Sequence, residues 1–488
     1  MKTFHLTPHV VMFAFVLVGV SSLAQARQPN VIYINTDDWG IGKVPCYGMD
    51  PVSERLIDTP TLDRLAEGGM MFTAAYSGNA VCGASRCSLL TGRHPGHAAW
   101  RANNKTPPVE EWPPKAPMLG EVARRAGYKT AGFGKLSAGG TSTPEIISGC
   151  GWDYWLGFLG HHDCRDYYPA QIWESGRLID LPRNTPLDLA GTELYPGAKA
   201  NEVPEEQNLV GNGLVPNGIG TFVEDLYAEK VIEFMTENRD EPFFIYYAST
   251  VPHGGPPGGM RVPDMLGYDK KNLTRREQVY CALMTHHDRN VGRVVDAVKE
   301  LGLENDTLIL WTSDNGDEDS YYLRTETFDG NGPLRGVKRY LYEGGIRVPL
   351  IAYWPDVIEP SSTCDLQTTQ WDLIPTLADA GGRETTSAMD GISIWPTLVG
   401  RTEQQVSREY LYFEFYERGR QQSVRLGDWK GYRVNGLDGP LELYDLATDE
   451  DESENIAAEH PEVVRRMEQI MRDEHQRHPL WTLPGLDD

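Results

Sequence analysis

Short runs of apolar, β-branched and aromatic residues recur along this chain between helical patterns. They occur at 31–35, 243–247 and 308–312, and each is followed by a polar cluster. Continuous apolar strands between helices indicate a sheet that helices cover on both faces. Ligands of such open sheets bind at the carboxyl ends of the strands. We therefore predict an α/β fold whose chemistry lies just after the strands.

Helix signals separate the predicted strands. A cap and a first-turn proline at Thr59-Pro60 begin one helix, and longer helices are predicted over 222–236 and 276–301. Between 139 and 215 the chain breaks into loops rich in Gly, Pro, Trp and Tyr, which are too long for a simple connection. We predict that this segment forms a wall of the substrate pocket.

The pattern of predicted secondary structure changes after about residue 405. Short strands are predicted over 410–415, 423–426, 429–433 and 441–446. The helix that follows them carries an apolar face made by Val463, Val464, Met467, Ile470 and Met471. We predict a small antiparallel sheet with one helix, which divides the mature chain into a catalytic domain (27–400) and a C-terminal α+β subdomain (401–488).

The first 26 residues have the layout of a signal peptide. Lys2 precedes an uncharged apolar run over 10–20, and small residues end at Ala26. The run is shorter than the roughly 20 apolar residues that cross a bilayer, so a membrane anchor is disfavoured. No later stretch is apolar enough to span a membrane. We predict an exported protein, periplasmic or secreted, that begins near Arg27.

The charge of the chain limits its partners. Lys and Arg number 45 against 70 Asp and Glu, which gives a formal net charge of −25. Such a chain repels nucleic-acid phosphates, so nucleic acid is excluded as a partner. The far field disfavours anionic substrates only mildly, because a local cluster of cationic groups still binds an anion at short range.

Two acidic clusters follow predicted strands. One is Asn35-Thr36-Asp37-Asp38 and the other is Ser313-Asp314-Asn315-Gly316. Carboxylate and amide oxygens are the ligands that Ca²⁺ and Mg²⁺ prefer, and two strand ends can converge on one hard cation. Asp and Asn after a strand are also common turn formers and helix caps, so each cluster taken alone leaves that alternative open.

The segment from Cys82 to Arg93 reads as a loop that runs into a short helix. The first residues of a helix face unpaired backbone N–H groups, which favour an anion such as sulfate or phosphate. Arg86 adds a planar fork for the oxygens of that anion. The chain has seven cysteines, so at least one is unpaired or otherwise used in an oxidising compartment. We assign this to Cys82, and a disulfide, for instance with Cys87, is the alternative.

Three cationic residues lie in loops or directly after predicted strands, namely Lys135, His253 and Lys338. A solvated surface charge would explain each of them singly. Their coincidence with the acidic clusters and Cys82 instead favours one anion-binding site.

Six motifs together resemble the type I, formylglycine-dependent sulfatases of the alkaline phosphatase superfamily, and they follow the order of that family across residues 30–350. The motifs are Asn35-Thr36-Asp37-Asp38, Cys82 to Gly92, Gly127-Tyr128 to Gly134-Lys135, Pro252-His253, Ser313-Asp314-Asn315-Gly316, and Leu334 to Pro349. An ordered set is far more specific than a single motif. The resemblance implies a large mixed, mostly parallel sheet sandwiched by helices.

The resemblance also implies a site and a reaction. One Ca²⁺ ion would be held by Asp37, Asp38, Asp314, Asn315 and the modified Cys82. The sulfate of a sulfated oligo- or polysaccharide would be bound by Arg86, Lys135, His253 and Lys338. In this family the cysteine is oxidised to formylglycine (3-oxoalanine), a hydroxyl of its hydrate attacks sulfur, and the second hydroxyl later expels sulfate. His253 or Lys338 would protonate the departing alcohol.

Two positions depart from the family pattern. Ala84 stands where many members have proline, which looks like the variant that bacterial radical-type maturases accept and implies modification of Cys82 before export. Ser137 stands where many members have a histidine two residues after the lysine. His161 or His162, in the following loop, are candidates for the base that sulfate release requires.

Two other functions are compatible with these motifs. Relatives within the superfamily hydrolyse phosphonate or phosphate esters with a formylglycine and the same metal cluster. A non-enzymatic, glycan-binding relative would keep Cys82 as a thiol or in a disulfide.

Overall fold

The structure of the protein is a computed structural model. It describes residues 28–103, 117–137, 145–160, 167–181, 184, 220–254, 260–318, 328–384 and 389–487. The predicted signal peptide and His161, His162 and Cys164 lie outside these residues. Within these ranges, no helix combines the length and the apolar character needed to cross a membrane.

The strands fall into one large sheet, one two-stranded pair and one C-terminal sheet. They are β1 (Asn30–Thr36), β2 (Met70–Phe72), β3 (Ala75–Tyr76), β4 (Lys129–Lys135), β5 (Tyr154–Phe158), β6 (Gln171–Glu174), β7 (Arg177–Asp180), β8 (Phe243–Ala248), β9 (Thr307–Ser313), β10 (Leu350–Tyr353), β11 (Ser362–Cys364), β12 (Thr368–Thr369), β13 (Tyr410–Phe415), β14 (Gln421–Leu426), β15 (Trp429–Val434) and β16 (Glu442–Asp445).

The helices alternate with these strands along the chain. They are α1 (Ser53–Leu56), α2 (Pro60–Glu67), α3 (Cys82–Thr91), α4 (Leu119–Arg125), α5 (Glu145–Gly149), α6 (Val223–Glu237), α7 (Arg275–Glu300), α8 (Glu343–Ile346), α9 (Leu373–Ala380), α10 (Trp395–Leu398) and α11 (Pro461–Asp473).

The large sheet has ten strands in the order β11-β2-β10-β9-β1-β8-β4-β5-β6-β7. β1 is parallel to both of its neighbours, β8 and β9, and β4 is parallel to β8 and β5. Towards the edges β10, β6 and β7 pair antiparallel. The prediction of an α/β fold with a large, mixed and mostly parallel sheet is therefore confirmed.

Helices cover both faces of this sheet, as the continuous apolar strands predicted. Val31 and Tyr33 of β1 enter one hydrophobic cluster, whereas Ile32 and Ile34 enter the other. Because both faces are buried, the strand has no need of polar residues at alternate positions. One cover is α7, which begins with a capping box in which the Thr274 side chain accepts the N–H of residue 277.

The segment 139–215 differs from its prediction as loops. Its described part contains α5 and the strands β5, β6 and β7, which extend the large sheet at one edge. Trp155 is fully buried, and Trp152 stacks on Phe244 with ring centroids 5.9 Å apart. These aromatic side chains therefore belong to the core. The strands escaped prediction because they are only four or five residues long.

The C-terminal sheet has the order β13-β14-β15-β16 and is antiparallel throughout. α11 packs on it through Met467, Ile470 and Met471, while Val463 and Val464 are partly buried beside them. The predicted small antiparallel sheet with one helix is confirmed as an element of the fold.

Candidate active site

The two acidic clusters meet at the carboxyl ends of β1 and β9. The parallel register places Thr36 opposite Ser313, so the residues that follow each strand are neighbours. The Asp38 N–H donates to Asp314 Oδ1 at 3.1 Å, and Asn315 Nδ2 donates to Asp38 Oδ1 at 2.7 Å. Asp37, Asp38, Asp314 and Asn315 are all fully buried. The burial of these side chains favours a metal site over the alternative of turn formers or helix caps.

Cys82 is the first residue of α3, and its thiol lies against this acidic cluster. Cys82 Sγ and one carboxylate oxygen each of Asp37 and Asp314 all lie within 4.8 Å of one another. One turn further along α3, Arg86 donates from Nε to Asp314 Oδ2 at 2.9 Å and from Nη1 to the carbonyl of Lys135 at 2.9 Å. The helix start therefore brings a sulfur atom and a guanidinium to the strand ends.

The other three predicted cations reach the same cluster. Lys135, at the end of β4, donates to Asp37 Oδ2. Lys338 Nζ donates to Asp38 Oδ2 at 2.7 Å, and His253 Nε2 lies 3.9 Å from the same oxygen. Lys135 and Lys338 are 0% and 2% exposed, which rules out a role as solvated surface charges.

Burial and charge shift the pKa values of the cluster in different directions. Burial and the neighbouring Asp37 raise the pKa of Asp314 to about 7. Burial also acts to raise the pKa of Asp37, but Lys135 and His253 outweigh it, so the pKa of Asp37 is lowered. Burial lowers the pKa of His253 to about 4. Burial is thus the largest influence on the pKa values of Asp314 and His253, and the neighbouring cations prevail at Asp37.

Several polar atoms of the cluster have no hydrogen-bond partner. These buried atoms are Asp37 Oδ1, Asn315 Oδ1 and Arg86 Nη2. A buried polar atom left without a partner costs about 1–3 kcal/mol. Oxygen atoms of carboxylates and amides are the ligands of hard cations such as Ca²⁺, and a guanidinium N–H binds anion oxygens. The oxygens without a donor therefore fit a cation. Arg86 Nη2, which lies 3.6 Å from Asp37 Oδ2 and makes no hydrogen bond, fits an anion oxygen.

A pair of glycines allows the loop after β9 to reach this position. A Cβ atom on Gly316 would lie 1.9 Å from the carbonyl oxygen of Gly344, so no other residue fits. The Gly316 N–H donates to the Gly345 carbonyl at 3.1 Å. The motif around Glu343-Gly344-Gly345 therefore supports the acidic loop rather than contacting a ligand.

Sequence reasoning missed two residues that hold the site together. Gln370 Nε2 donates to Asn35 Oδ1 at 3.1 Å and to the Ser313 carbonyl at 2.8 Å, and Gln370 Oε1 accepts from Ser85 Oγ at 2.8 Å. Gln370 thus links β1, β9 and α3. Tyr246, on β8, accepts from Arg86 Nη1 at 3.1 Å. Neither residue lies in a motif of its own, and no local signal marks them.

The alternative of a disulfide between Cys82 and Cys87 is wrong. Both residues lie on α3, and the six cysteines in the described ranges are all unbonded. Burial raises the pKa of the Cys87 thiol to about 12, so it is unreactive. Ser137 is buried and its Oγ has no hydrogen-bond partner.

A second group of metal-binding residue types lies outside this site. His94 Nε2 is 2.9 Å from Glu474 Oε2, and His97 Nδ1 is 3.0 Å from both oxygens of Asp390. His94 Nδ1 accepts the Gly96 N–H at 3.0 Å, so the ring proton is on Nε2 and points at Glu474. A metal-bound imidazole has the opposite arrangement, with its N–H on the nitrogen away from the metal. The group is therefore a hydrogen-bonded link between the end of α11 and the loop after α3.

Known proteins resemble this chain over most of its length. A model of the family described as Sulfatase matches residues 29–382, and a model of the N-sulphoglucosamine sulphohydrolase C-terminal region matches residues 337–477. The chain is 29% identical to an N-acetylgalactosamine-6-O-sulfatase of Bacteroides thetaiotaomicron, over 91% of this chain and 93% of that protein. It is 30% identical to arylsulfatase A of Homo sapiens, over 94% and 90%. The crystal structure of Ps i-CgsB aligns with a TM-score of 0.70 at 25% identity, covering 92% and 93% of the two chains.

The chain therefore belongs to the sulfatase family, and the resemblance found in its motifs is confirmed. It is a sulfuric ester hydrolase. Its fold is alkaline phosphatase-like.

Proposed function

We propose that this chain is an exported carbohydrate sulfatase, which hydrolyses sulfate monoesters with a formylglycine made from Cys82 and one Ca²⁺ ion. The observation that carries the proposal is the convergence of Arg86, Lys135, Lys338 and His253 on one buried acidic cluster beside Cys82. A sulfated sugar is favoured because two relatives of similar length are named as N-acetylgalactosamine- and N-acetylglucosamine-6-O-sulfatases.

The proposed ligands of the Ca²⁺ ion are Asp37, Asp38, Asp314, Asn315 and the modified residue 82. When bound, the ion and the formylglycine together supply a hydroxyl of lowered pKa as the nucleophile. The unpaired Asp37 Oδ1 and Asn315 Oδ1 support this ligand set, since both are buried oxygens that the chain itself leaves without a donor.

The cationic residues of the chain bind and orient the sulfate in this proposal. Arg86 is fixed by Asp314 and Tyr246. Its Nη2 makes an ion pair with Asp37 Oδ2 at 3.6 Å but no hydrogen bond, and it would donate to a sulfate oxygen. Lys135 and Lys338 add positive charge in a buried site, where charge acts more strongly than in water. Lys338 and His253 both reach Asp38 and are the groups that would pass a proton to the departing alcohol.

The maturase that makes the formylglycine, proposed to be of the radical type, must meet the chain before it folds. Cys82 is 3% exposed and Ala84 is 0% exposed in the folded protein. An enzyme that reads position 84 and oxidises position 82 cannot reach either of them once α3 is packed. This burial supports modification before export, in keeping with the predicted signal peptide over 1–26. We also propose the division into a catalytic domain (27–400) and a C-terminal subdomain (401–488).

The test begins with the chain co-expressed with a radical-type maturase. The peptide that contains Cys82 should show the mass change from CH₂SH to CHO. The matured enzyme should then release sulfate from an aryl sulfate and from members of a panel of sulfated mono- and disaccharides, and Cys82→Ala should release none. Sulfate release from no member of the panel by aldehyde-bearing enzyme would contradict the proposal.

Matched esters separate the remaining functions. Faster hydrolysis of aryl phosphonate or phosphate than of the matched aryl sulfate would identify an ester hydrolase of the phosphonate type. Glycan binding that survives Cys82→Ala, with no turnover by either chain, would identify an inactive glycan-binding relative.

A further inference from the structure

Asn103 lies directly against the side chain of Cys82. Its Nδ2 donates to Cys82 Sγ at 3.3 Å. Its Oδ1 is buried and has no hydrogen-bond partner. The amide of Asn103 therefore donates to the atom that the proposed maturation replaces, and its acceptor oxygen is unused.

The residue after Cys82 makes room for this amide. A Cβ atom on Gly83 would lie 2.4 Å from Asn103 Oδ1 and 2.9 Å from the Trp100 ring. Any other residue at position 83 would push the amide away from position 82. The start of α3 therefore packs closely against Trp100 and Asn103.

The C-terminal part of the chain holds Asn103 in place. Glu417, which follows β13, accepts the Asn103 backbone N–H on Oε1 at 2.7 Å. The other oxygen of Glu417 accepts from Arg339 Nε at 3.2 Å. Arg339 pairs in turn with Glu318, whose carboxylate lies 3.5 Å from Lys338 Nζ. The Glu417 carboxylate, which lies outside the large sheet, thereby connects Asn103 through Arg339 and Glu318 with Lys338 of the site.

The residues that precede Asn103 are also held in place by hydrogen bonds and an ion pair. Arg101 donates from Nε to the Ala98 carbonyl at 2.8 Å and pairs with the buried Glu414. Trp481 Nε1 donates to the Ala99 carbonyl at 2.8 Å. Both anchors again come from the C-terminal part of the chain.

Ser137 does not take this role. Its hydroxyl is buried without a hydrogen-bond partner. In the described ranges, the group that hydrogen-bonds the Cys82 side chain is the Asn103 amide.

We propose that Asn103 is a further catalytic residue, which orients the side chain at position 82, and that Glu417 is its positioning residue. The proposal rests on the proposed function, since it assumes that position 82 becomes the reacting group. An amide offers a donor and an acceptor but does not take up a proton at neutral pH. Asn103 therefore fixes the rotamer of residue 82 and leaves proton transfer to other groups.

The experiment compares matured Asn103→Leu, Asn103→Asp, Glu417→Leu and Glu417→Gln with the wild-type chain. The control is Asn290→Leu, which removes a buried amide that donates from α7 to Asp225 on α6 and lies outside the site described above. The measurements are the aldehyde content by peptide mass, the rate of aldehyde capture by hydroxylamine, and kcat and KM with an aryl sulfate. Rates are divided by aldehyde content.

We expect Asn103→Leu to lower kcat by about 100-fold with KM changed by less than about threefold, because the lost interaction acts on the reacting group. Aldehyde capture should become several-fold faster, since the aldehyde is no longer held. Glu417→Leu should lower kcat in the same sense, and Glu417→Gln, which keeps an acceptor for the Asn103 N–H, should restore most of it. The Asn290→Leu control should match the wild type in both readouts.

Wild-type kcat and wild-type capture rate in Asn103→Leu would overturn the inference. If that variant is not matured, Asn103→Asp decides, because it keeps the size of the side chain and loses the Nδ2 donor. A wild-type chain that bears aldehyde and hydrolyses no ester would instead refute the proposed function, which keeps the two failures distinguishable.

Discussion

Two buried groups of charges in this chain differ in how their hydrogen bonds are satisfied. At the junction between the large sheet and the C-terminal sheet, Glu343 accepts from Lys430 at 2.7 Å, from Arg347 at 2.8 Å and from Tyr76 at 2.9 Å. At the strand ends, by contrast, Asp37 Oδ1 and Asn315 Oδ1 have no donor. We call the first group the junction cluster and the second, made of Asp37, Asp38, Asp314 and Asn315, the site cluster.

The pKa values show the same difference. Burial would raise the pKa of Glu343, but Lys430 and Arg347 outweigh it and hold that pKa well below 4.5. In the site cluster, burial and Asp37 raise the pKa of Asp314 to about 7. The carboxylate of Glu343 is therefore satisfied by donors of the chain itself, whereas Asp37 Oδ1 and Asn315 Oδ1 of the site cluster are not. Glu452, beside Glu343, also has a buried Oε1 without a hydrogen-bond partner, so an unpaired oxygen alone does not mark a functional site. The site cluster differs from the junction cluster because Cys82 and Arg86 converge on it as well.

The largest expected effect is that of removing Ca²⁺, which acts on the site cluster alone. Chelation should lower turnover of the matured enzyme by about 10³-fold, because a bound cation contributes several kcal/mol of charge stabilisation in the reaction. Adding Ca²⁺ back should restore turnover and raise the melting temperature, since the ion binds only the folded chain. If chelation changed neither the turnover nor the melting temperature, the assignment of this cluster as a metal site would be contradicted.

Breaking the junction cluster should affect stability instead of turnover. Lys430→Met leaves Glu343 and its neighbours with an unbalanced buried charge, which costs about 3–5 kcal/mol of unfolding free energy. Turnover per folded molecule should stay at the wild-type level. Urea denaturation and kinetics at a temperature where both chains are folded measure the two quantities.

The matched control for that change is Lys230→Met, because Lys230 pairs with Glu233 at a partly exposed position on α6. Exposed pairs contribute at most about 1 kcal/mol. Equal destabilisation by both substitutions would show that the junction cluster contributes no more to the unfolding free energy than an exposed ion pair does.

Acid should weaken the C-terminal contacts through Glu414. Burial acts to raise the pKa of Glu414, but Arg101 and His475 outweigh it and lower the pKa from 4.5 to about 2. A lowered carboxyl pKa stabilises the folded chain above pH 4.5, and this contribution of about 3 kcal/mol is lost as the pH falls from 4.5 to 2. Glu414→Gln should therefore be less stable than the wild type at pH 7 and equally stable near pH 2, as measured by denaturation at each pH. A difference that is constant with pH would contradict the role of the charge.

The smallest expected effect is that of Ser137→Ala. Its hydroxyl is buried without a partner, so removing it should change the unfolding free energy by no more than about 0.5 kcal/mol or stabilise slightly. Turnover should stay within about twofold of the wild type. A large loss of turnover would show that Ser137 acts in the site and would count against Asn103.

Local patterns predicted the elements whose environment is uniform. β1, β8 and β9 are buried on both faces, so their sequences are continuously apolar and their ends were placed within one or two residues. The strands β5 to β7 were missed because they are short and pair at the edge of the sheet. β5 pairs with β4, as Ala131 does with Tyr154, whereas β6 and β7 form a hairpin whose turn at Ser175-Gly176 was not recognised.

The sequence by itself determined the residue types of the site and their order along the chain. Asp37, Asp314 and Cys82 could be named because each lies after a predicted strand or at a helix start, and Lys338 was named from its motif, Leu334 to Pro349. Only the tertiary structure decided which of these groups are paired and which are left for a ligand. Asn103, Glu417 and Gln370 belong to the site through contacts made across 21 to 335 positions of sequence, and no local pattern encodes a contact at such separations.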